Sequence, residues 1–103
     1  MDRKEHLLIV ANEECAEIQK EISKALRFGV YNHHPDTPYI TNGVNIVTEY
    51  YQLQAVMDEL IGRDILPSLS AREVNRIRVD KKKAVEEWET YSRGLGTIID
   101  KED

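Results

Sequence analysis

The sequence predicts an all-α protein, an antiparallel helical bundle of three or more helices that is completed by oligomerisation. Three long segments carry apolar residues at the three- and four-residue spacing of a helix. Glycine and proline cluster between these segments, and no run alternates apolar and polar residues as a strand does. Because 103 residues bury only a modest surface, amphipathic helices of this length favour a homo-oligomer, either a dimer or a tetramer.

The first predicted helix covers about residues 4–28, where neither glycine nor proline occurs. Apolar side chains recur along it at Leu8, Ala11, Cys15, Ile18, Ile22 and Leu26. A helical wheel places the centre of this apolar face near Ile18 and Ile22. Gly29 is expected to end the helix.

A long loop and a second helix follow. Residues 29–44 combine two prolines and two glycines with asparagine and aspartate, which is turn chemistry without a period. The second helix is predicted from Asn45, as its N-cap, to about Gly62. Its apolar face consists of Ile46, Tyr50, Leu53, Val56, Met57, Leu60 and Ile61.

A third helix is predicted for residues 71–93. Ser70 and Glu73 have the spacing of a capping box after the break at Pro67, and Gly94 is the next breaker. Its apolar stripe is formed by Val74, Ile77, Ala84, Val85, Trp88 and Tyr91. Residues 1–96 are therefore interpreted as a single domain, and residues 97–103 as a frayed tail.

The charge balance and the single cysteine restrict the class of protein. The formal net charge of -5 argues against binding to a nucleic-acid polymer. Cys15 permits no internal disulfide, and the apolar run at residues 7–11 is too short for a signal sequence or a membrane span. We therefore expect a cytoplasmic protein without a membrane partner.

Three acidic residues lie together beside the apolar face of the first helix. Glu14, Glu17 and Glu21 fall on its shoulder, and like charges three or four residues apart cost about a few tenths of a kcal/mol each. A bound cation would remove this repulsion. The alternative is a solvated acidic edge that Lys20 and Lys24 neutralise.

Glu49 lies within the apolar stripe of the second helix, where an ionised carboxylate must be paired, protonated or bound to a metal. Gln52 is one turn later on the margin of the same face. Two antiparallel helices that present Glu14, Glu17 and Glu49 to each other would supply the hard oxygen ligands that magnesium or manganese prefers.

Three basic residues are candidates for binding an anionic ligand. Lys81 falls within the apolar stripe of the third helix, and Lys24 and Arg27 lie at the end of the first. Each is placed to meet a phosphate. The alternatives are a lysine stem that crosses an apolar surface and a basic group that complements the helix dipole.

The run Glu13, Glu14, Cys15, Ala16, Glu17 fits the EExxE motif of the all-alpha nucleoside triphosphate pyrophosphohydrolases, the MazG-like family. The second helix resembles the ExxD helix of that family. Residues 5–31 and 91–97 also look like the short MazG-like proteins of phages and some bacteria. The resemblance covers most of the chain.

This resemblance implies hydrolysis of a nucleoside triphosphate to the monophosphate and pyrophosphate, with Mg²⁺, or alternatively Mn²⁺, as cofactor. By position the metal ligands become Glu14, Glu17 and Glu49. The fourth ligand position, an aspartate in the family, is occupied here by Gln52, whose neutral carbonyl oxygen leaves the predicted site with one formal charge fewer. A nucleotide-binding module without turnover is therefore the alternative function.

A carboxylate that accepts or orients the proton of the attacking water completes the expected site. Glu13 and Glu21 are the candidates, although Glu13 projects away from the predicted ligand face. A di-iron bundle would need Glu and His three residues apart on facing helices, and His6, His33 and His34 lack this spacing. A structural adaptor with solvated acids is a further alternative.

Overall fold

A computed structural model of the chain describes residues 1–100 and confirms the all-α class. Its helices are α1 (Arg3–Phe28), α2 (Asn42–Gly62) and α3 (Ala71–Leu95), and residues 1–100 contain no β-strand. The contacts divide the chain into two compact units, Met1–Ser68 and Leu69–Asp103, which are described separately. The single domain of residues 1–96 stays a prediction. Across the described residues, no helix is both long enough and apolar enough to cross a membrane.

The sequence marks both ends of α1. The Asp2 side chain accepts a hydrogen bond from the Glu5 backbone N–H at 2.9 Å, which caps the first turn. Gly29 donates its N–H to the Ala25 carbonyl at 2.8 Å and has a φ of 98°, which glycine adopts at little cost. The prediction for this helix is confirmed, with a start one residue earlier.

The second helix begins three residues before its predicted N-cap. Thr41 is the N-cap, and its hydroxyl oxygen accepts the Val44 N–H at 3.2 Å. The prediction of Asn45 as N-cap is wrong because Thr41 already satisfies the first free N–H groups. Asn42 is buried and donates from its amide to the Gly29 carbonyl at 2.9 Å, which ties the start of α2 to the end of α1.

Helices α1 and α2 form an antiparallel hairpin. At one end, the Gly43 N–H donates to the Val30 carbonyl at 2.9 Å. At the other end, Arg3 and Ile65 line the same shallow cavity. The side chains that the hairpin buries are Ala11, Ala25 and Leu60, together with the polar Glu21 and Asn42.

The buried face of α1 differs from the predicted apolar face. Ile22 is 43% exposed and Leu26 is 83% exposed, whereas Glu21 and Ala25 are buried. The centre of the apolar face near Ile22 therefore does not coincide with the face of α1 that is buried against α2. Ala11 and Ala25 are small enough to let α2 approach closely, and this approach leaves Ile22 on a different side of the helix.

Helix α3 begins as predicted and ends later. Ser70 Oγ accepts the Glu73 N–H, and Glu73 Oε1 accepts the Ser70 N–H, both at 3.1 Å, so the capping box is confirmed. The predicted end at Gly94 is wrong. Gly94 stays within the helix, and Gly96 ends it with a left-handed φ of 78°.

The residues after α3 are held to its last turn. The Thr97 hydroxyl and N–H both donate to the Ser92 carbonyl, at 3.0 and 3.1 Å. Arg93 donates two hydrogen bonds to the Asp100 carboxylate, at 2.9 and 3.0 Å. Of the predicted frayed tail, residues 97–100 therefore have defined contacts, and residues 101–103 lie outside the described residues.

The junction of the loop with α2 yields a stability prediction. A Cβ at Gly43 would lie 2.9 Å from Val30 Cγ1, so Gly43→Ala should lower the free energy of unfolding by about 1–3 kcal/mol. Gly62→Ala is the matched control, since a Cβ there meets nothing within 4 Å and alanine favours a helix. Urea denaturation followed by circular dichroism measures both. Equal stability of the two variants would contradict the packing described.

Candidate functional site

Four glutamate side chains lie close together between α1 and α2. Glu14, Glu17 and Glu21 occupy successive turns of α1, and Glu49 lies on the facing side of α2, where the charges of all three act on it. Of the four predicted metal ligands, Glu14 and Glu17 thus lie within electrostatic range of Glu49, as does Glu21. We call Glu14, Glu17, Glu21 and Glu49 the acidic cluster.

Much of the acidic cluster is removed from water. Glu21 is only 8% exposed, Glu14 and Glu49 are half-buried, and Glu17 is exposed. The Oε2 atoms of Glu14, Glu21 and Glu49 are buried without a hydrogen-bond partner. An unpartnered buried carboxylate oxygen lowers the stability of the folded protein unless a proton or a cation offsets its charge.

The ion pair observed at the cluster is a weak one. Lys24 Nζ lies 3.4 Å from Glu21 Oε1, and the lysine side chain is 40% exposed. A pair of this length at the edge of solvent compensates little of the charge of several carboxylates. Most of the negative charge of the cluster is therefore not offset by this ion pair.

The negative charges of the acidic cluster perturb the Glu49 carboxyl. Burial raises the pKa of the Glu49 carboxyl, and the negative charges of Glu14 and Glu17 raise it further. The negative charge of Glu21 acts in the same direction. Ionised Glu49 is thus disfavoured in the folded protein, and a bound divalent cation would reverse this preference.

Helical periodicity explains why these acids meet. Glu14 and Glu21 are seven residues apart and therefore share a face of α1, with Ile18 between them. The same face continues to the buried Ala11 and Ala25. Residues 11, 14, 18, 21 and 25 have the spacing of one continuous helix face. This spacing locates Glu21 in the contact face only when acidic residues are counted as members of the face together with the apolar ones.

Two other predicted site residues lie outside the packed interior. Gln52 and Glu13 both have exposed side chains. Gln52 is one turn after Glu49 on α2. Exposure leaves both residues solvated, whereas Glu21, the other candidate for the general base, lies inside the cluster.

A cavity of about 580 Å³ opens at the end of the hairpin where α1 leads into the loop. Lys24 lines this cavity and also pairs with Glu21, and Asn45 lines it one turn before Glu49. The other lining residues are Phe28, Asn32, His33, His34, Pro35 and Asn42. The sequence did not indicate these loop residues as a site, because a loop without a period gives no signal of which side chains face inward.

The other two basic candidates are placed differently from Lys24. The Arg27 guanidinium lies over the ring of Phe28, 4.9 Å from its centroid. Lys81 belongs to the second unit, where it lines a shallow cavity together with Trp88 and Ile98. Lys24 is therefore the predicted phosphate ligand that the structure places beside both the cavity and the acidic cluster.

The donor set of the acidic cluster fits a hard divalent cation. Carboxylate oxygens are the ligands that magnesium and manganese prefer, and three of them here lack a partner. As they are placed, no three His, Cys, Asp or Glu side chains within residues 1–100 are arranged to hold a metal ion. A cation would therefore have to draw the carboxylates closer together.

Comparisons with protein-family models, curated proteins and solved structures found no match to this chain. The resemblance to the MazG-like family therefore depends on the motif residues and their order along the chain.

The raised pKa of Glu49 predicts how stability changes with pH when chelator removes divalent cations. The folded-state pKa lies above the ordinary value of 4.5, so the stabilising contribution is fully present below 4.5 and is lost as the pH rises through the folded-state pKa. The free energy of unfolding should fall across this window. In Glu49→Gln that part of the fall should disappear.

The exposed Asp58 on the same helix provides the control, because Asp58→Asn should keep the pH dependence of the wild type. Chemical denaturation at a series of pH values measures all three proteins. Parallel plots of the free energy of unfolding against pH for the wild type and Glu49→Gln would show that the neighbouring acids do not perturb the Glu49 carboxyl.

Proposed function

We propose that the protein is a Mg²⁺-dependent nucleoside triphosphate pyrophosphohydrolase that releases the nucleoside monophosphate and pyrophosphate. The observation that carries the proposal is the convergence of Glu14, Glu17 and Glu49 with the buried Glu21, including buried oxygens without partners. These acids include two of the three EExxE glutamates of α1, Glu14 and Glu17, and the first position of the ExxD helix, Glu49. An adjoining cavity supports the proposal further.

In this proposal each residue of the cluster has a defined task. The carboxylates of Glu14, Glu17 and Glu49 hold Mg²⁺, or Mn²⁺, which when bound neutralises charge on the phosphate oxygens. Lys24 lies between the cluster and the cavity, so its ammonium can bind a phosphate oxygen of the nucleotide. The Phe28 ring offers an apolar surface in the same cavity, where a base can stack.

The reaction itself is the addition of water to the α-phosphorus. The oxygen of water bonds to that phosphorus as the bond to the bridging oxygen breaks, and pyrophosphate leaves. A carboxylate of the site takes the proton from water. The buried cluster favours this step because carboxylates with little water around them interact strongly with nearby charge.

The second candidate function is a nucleotide-binding module without turnover. Gln52 favours it, since the position at which the family carries an aspartate is here a neutral and exposed side chain. Such a module would bind nucleotide and cation through the same acids and release no product. Product analysis separates the two functions.

The proposed function predicts which products form and which substitution lowers the rate of hydrolysis. Incubation with a panel of ribo- and deoxynucleoside triphosphates and Mg²⁺, followed by ion-exchange chromatography, should yield pyrophosphate and one monophosphate. Glu49→Gln should lower the rate by about 100-fold or more, because a charged ligand is lost, while the helical circular dichroism is retained. Asp58→Asn should keep the wild-type rate.

Two results would contradict parts of this proposal. Wild-type turnover in Glu49→Gln would remove Glu49 from the site. Binding of nucleotide by the wild type without any product, for every nucleotide of the panel, would support the module without turnover.

We also propose that the helical bundle is completed by oligomerisation, as a dimer or tetramer. The predicted apolar stripe of α3 remains exposed in the single chain, with Trp88 67% and Tyr91 58% accessible. Leu26 on α1 is 83% exposed. Soluble chains seldom expose large apolar side chains in this number without a partner, and a second copy would cover them.

Sedimentation velocity at micromolar concentration should show a species larger than one chain. Trp88→Glu should shift the protein towards the monomer, because a charge at the centre of the stripe opposes burial. Thr90→Glu adds the same charge at an exposed position of α3 outside the stripe and should leave the sedimentation unchanged. A folded monomeric wild type would contradict the proposal.

A further inference from the structure

Glu21 combines deep burial with a carboxylate oxygen that has no hydrogen-bond partner. It is 8% exposed, the most deeply buried member of the acidic cluster, and its Oε2 atom has no hydrogen-bond partner. It lies seven residues after Glu14, so both carboxylates project from one face of α1. Glu49 lies across from that face on α2 and feels the charge of both.

Gln52 does not share these features. Its side chain is exposed, and its amide oxygen is neutral. Hard divalent cations bind more tightly as the number of charged oxygen ligands increases. A buried carboxylate in the contact face is therefore a stronger ligand than an exposed amide on the margin of that face.

Lys24 pairs with the Oε1 atom of Glu21, and the Oε2 atom has no hydrogen-bond partner. Its Nζ lies 3.4 Å from Oε1, a long contact for an ion pair, and it reaches Glu21 from the side of the cavity. A monovalent ammonium in this position offsets one negative charge. A divalent cation would offset two, so it can replace Lys24 at Glu21.

We propose that Glu21 is the fourth carboxylate ligand of the cation site, in place of Gln52, and that Lys24 is the counter-ion of Glu21 until a divalent cation binds. The inference rests on the proposed function, since it refines the metal site of that function. Displacement of Lys24 leaves its ammonium free at the wall of the cavity. Cation binding and binding of an anionic ligand in the cavity are then coupled, because the first releases the group that serves the second.

Binding of Mn²⁺ alone to the full-length chain, without nucleotide, tests this assignment. Electron paramagnetic resonance of free Mn²⁺ and isothermal titration calorimetry give the affinity, and thermal melts with and without Mn²⁺ give an independent readout. Glu21→Gln should weaken Mn²⁺ binding by about tenfold or more. Gln52→Ala and the control Asp58→Asn, at an exposed acid of α2, should both leave the affinity within about twofold, since neither removes a ligand.

Lys24→Met tests the counter-ion. Removal of the competing ammonium should tighten Mn²⁺ binding, and the same change combined with Glu21→Gln should add nothing. Circular dichroism checks the fold of every variant. Glu21→Asp, which keeps the charge but shortens the side chain, should bind with an affinity between those of the wild type and Glu21→Gln.

The outcomes separate this inference from the proposed function. If Mn²⁺ binds the wild type and Glu21→Gln equally well, Glu21 is not a ligand, whereas the proposed site stands. Weaker binding in Gln52→Ala would return the fourth position to Gln52. If Lys24→Met binds Mn²⁺ no more tightly than the wild type, the counter-ion role fails. No Mn²⁺ binding by the wild type would overturn both the metal site and this assignment.

Discussion

Packing of α1 against α2 buries one carboxylate oxygen each of Glu14, Glu21 and Glu49, while the charges of Glu14 and Glu21 act on Glu49. Desolvation and repulsion both disfavour this arrangement, and Lys24 offsets only part of it. Natural proteins tolerate such a local conflict mainly where a site requires it. The rest of the hairpin must therefore supply the stability that the acids remove.

That compensating stability comes from a small number of contacts. Leu60 is fully buried, and Ala11 and Ala25 allow the two helices to approach. The buried Asn42 side chain and the Gly43 N–H join the two helix ends through hydrogen bonds. The same joint shapes the cavity beside Lys24, so the element that stabilises the hairpin also positions the space next to the acids.

Local signals in the sequence account for most of the fold. The capping box at Ser70 and the end of α1 at Gly29 were predicted correctly, since both depend on chemistry within a few residues. The predicted helix ends were wrong where two nearby residues could each cap or end the same helix. Thr41 replaced Asn45 as the cap, and Gly96 rather than Gly94 adopted the left-handed conformation.

The site was predictable only in part, for a different reason. Glu49 stood out as an acid in an apolar stripe, and the structure places it between the helices. The depth of Glu21 depends on which face of α1 meets α2, and the small Ala11 and Ala25 decide that face more than Ile22 does. The cavity residues of the loop follow from long-range contacts that no periodicity records.

The central claim is that the fold keeps the acidic cluster for a divalent cation. The most direct measurement is the melting temperature of the full-length chain in MgCl₂ and in NaCl of equal ionic strength, since salt screening alone acts equally in both. The account predicts a higher melting temperature in MgCl₂ for the wild type and no difference for Glu49→Gln. Equal melting temperatures of the wild type in both salts would contradict the account.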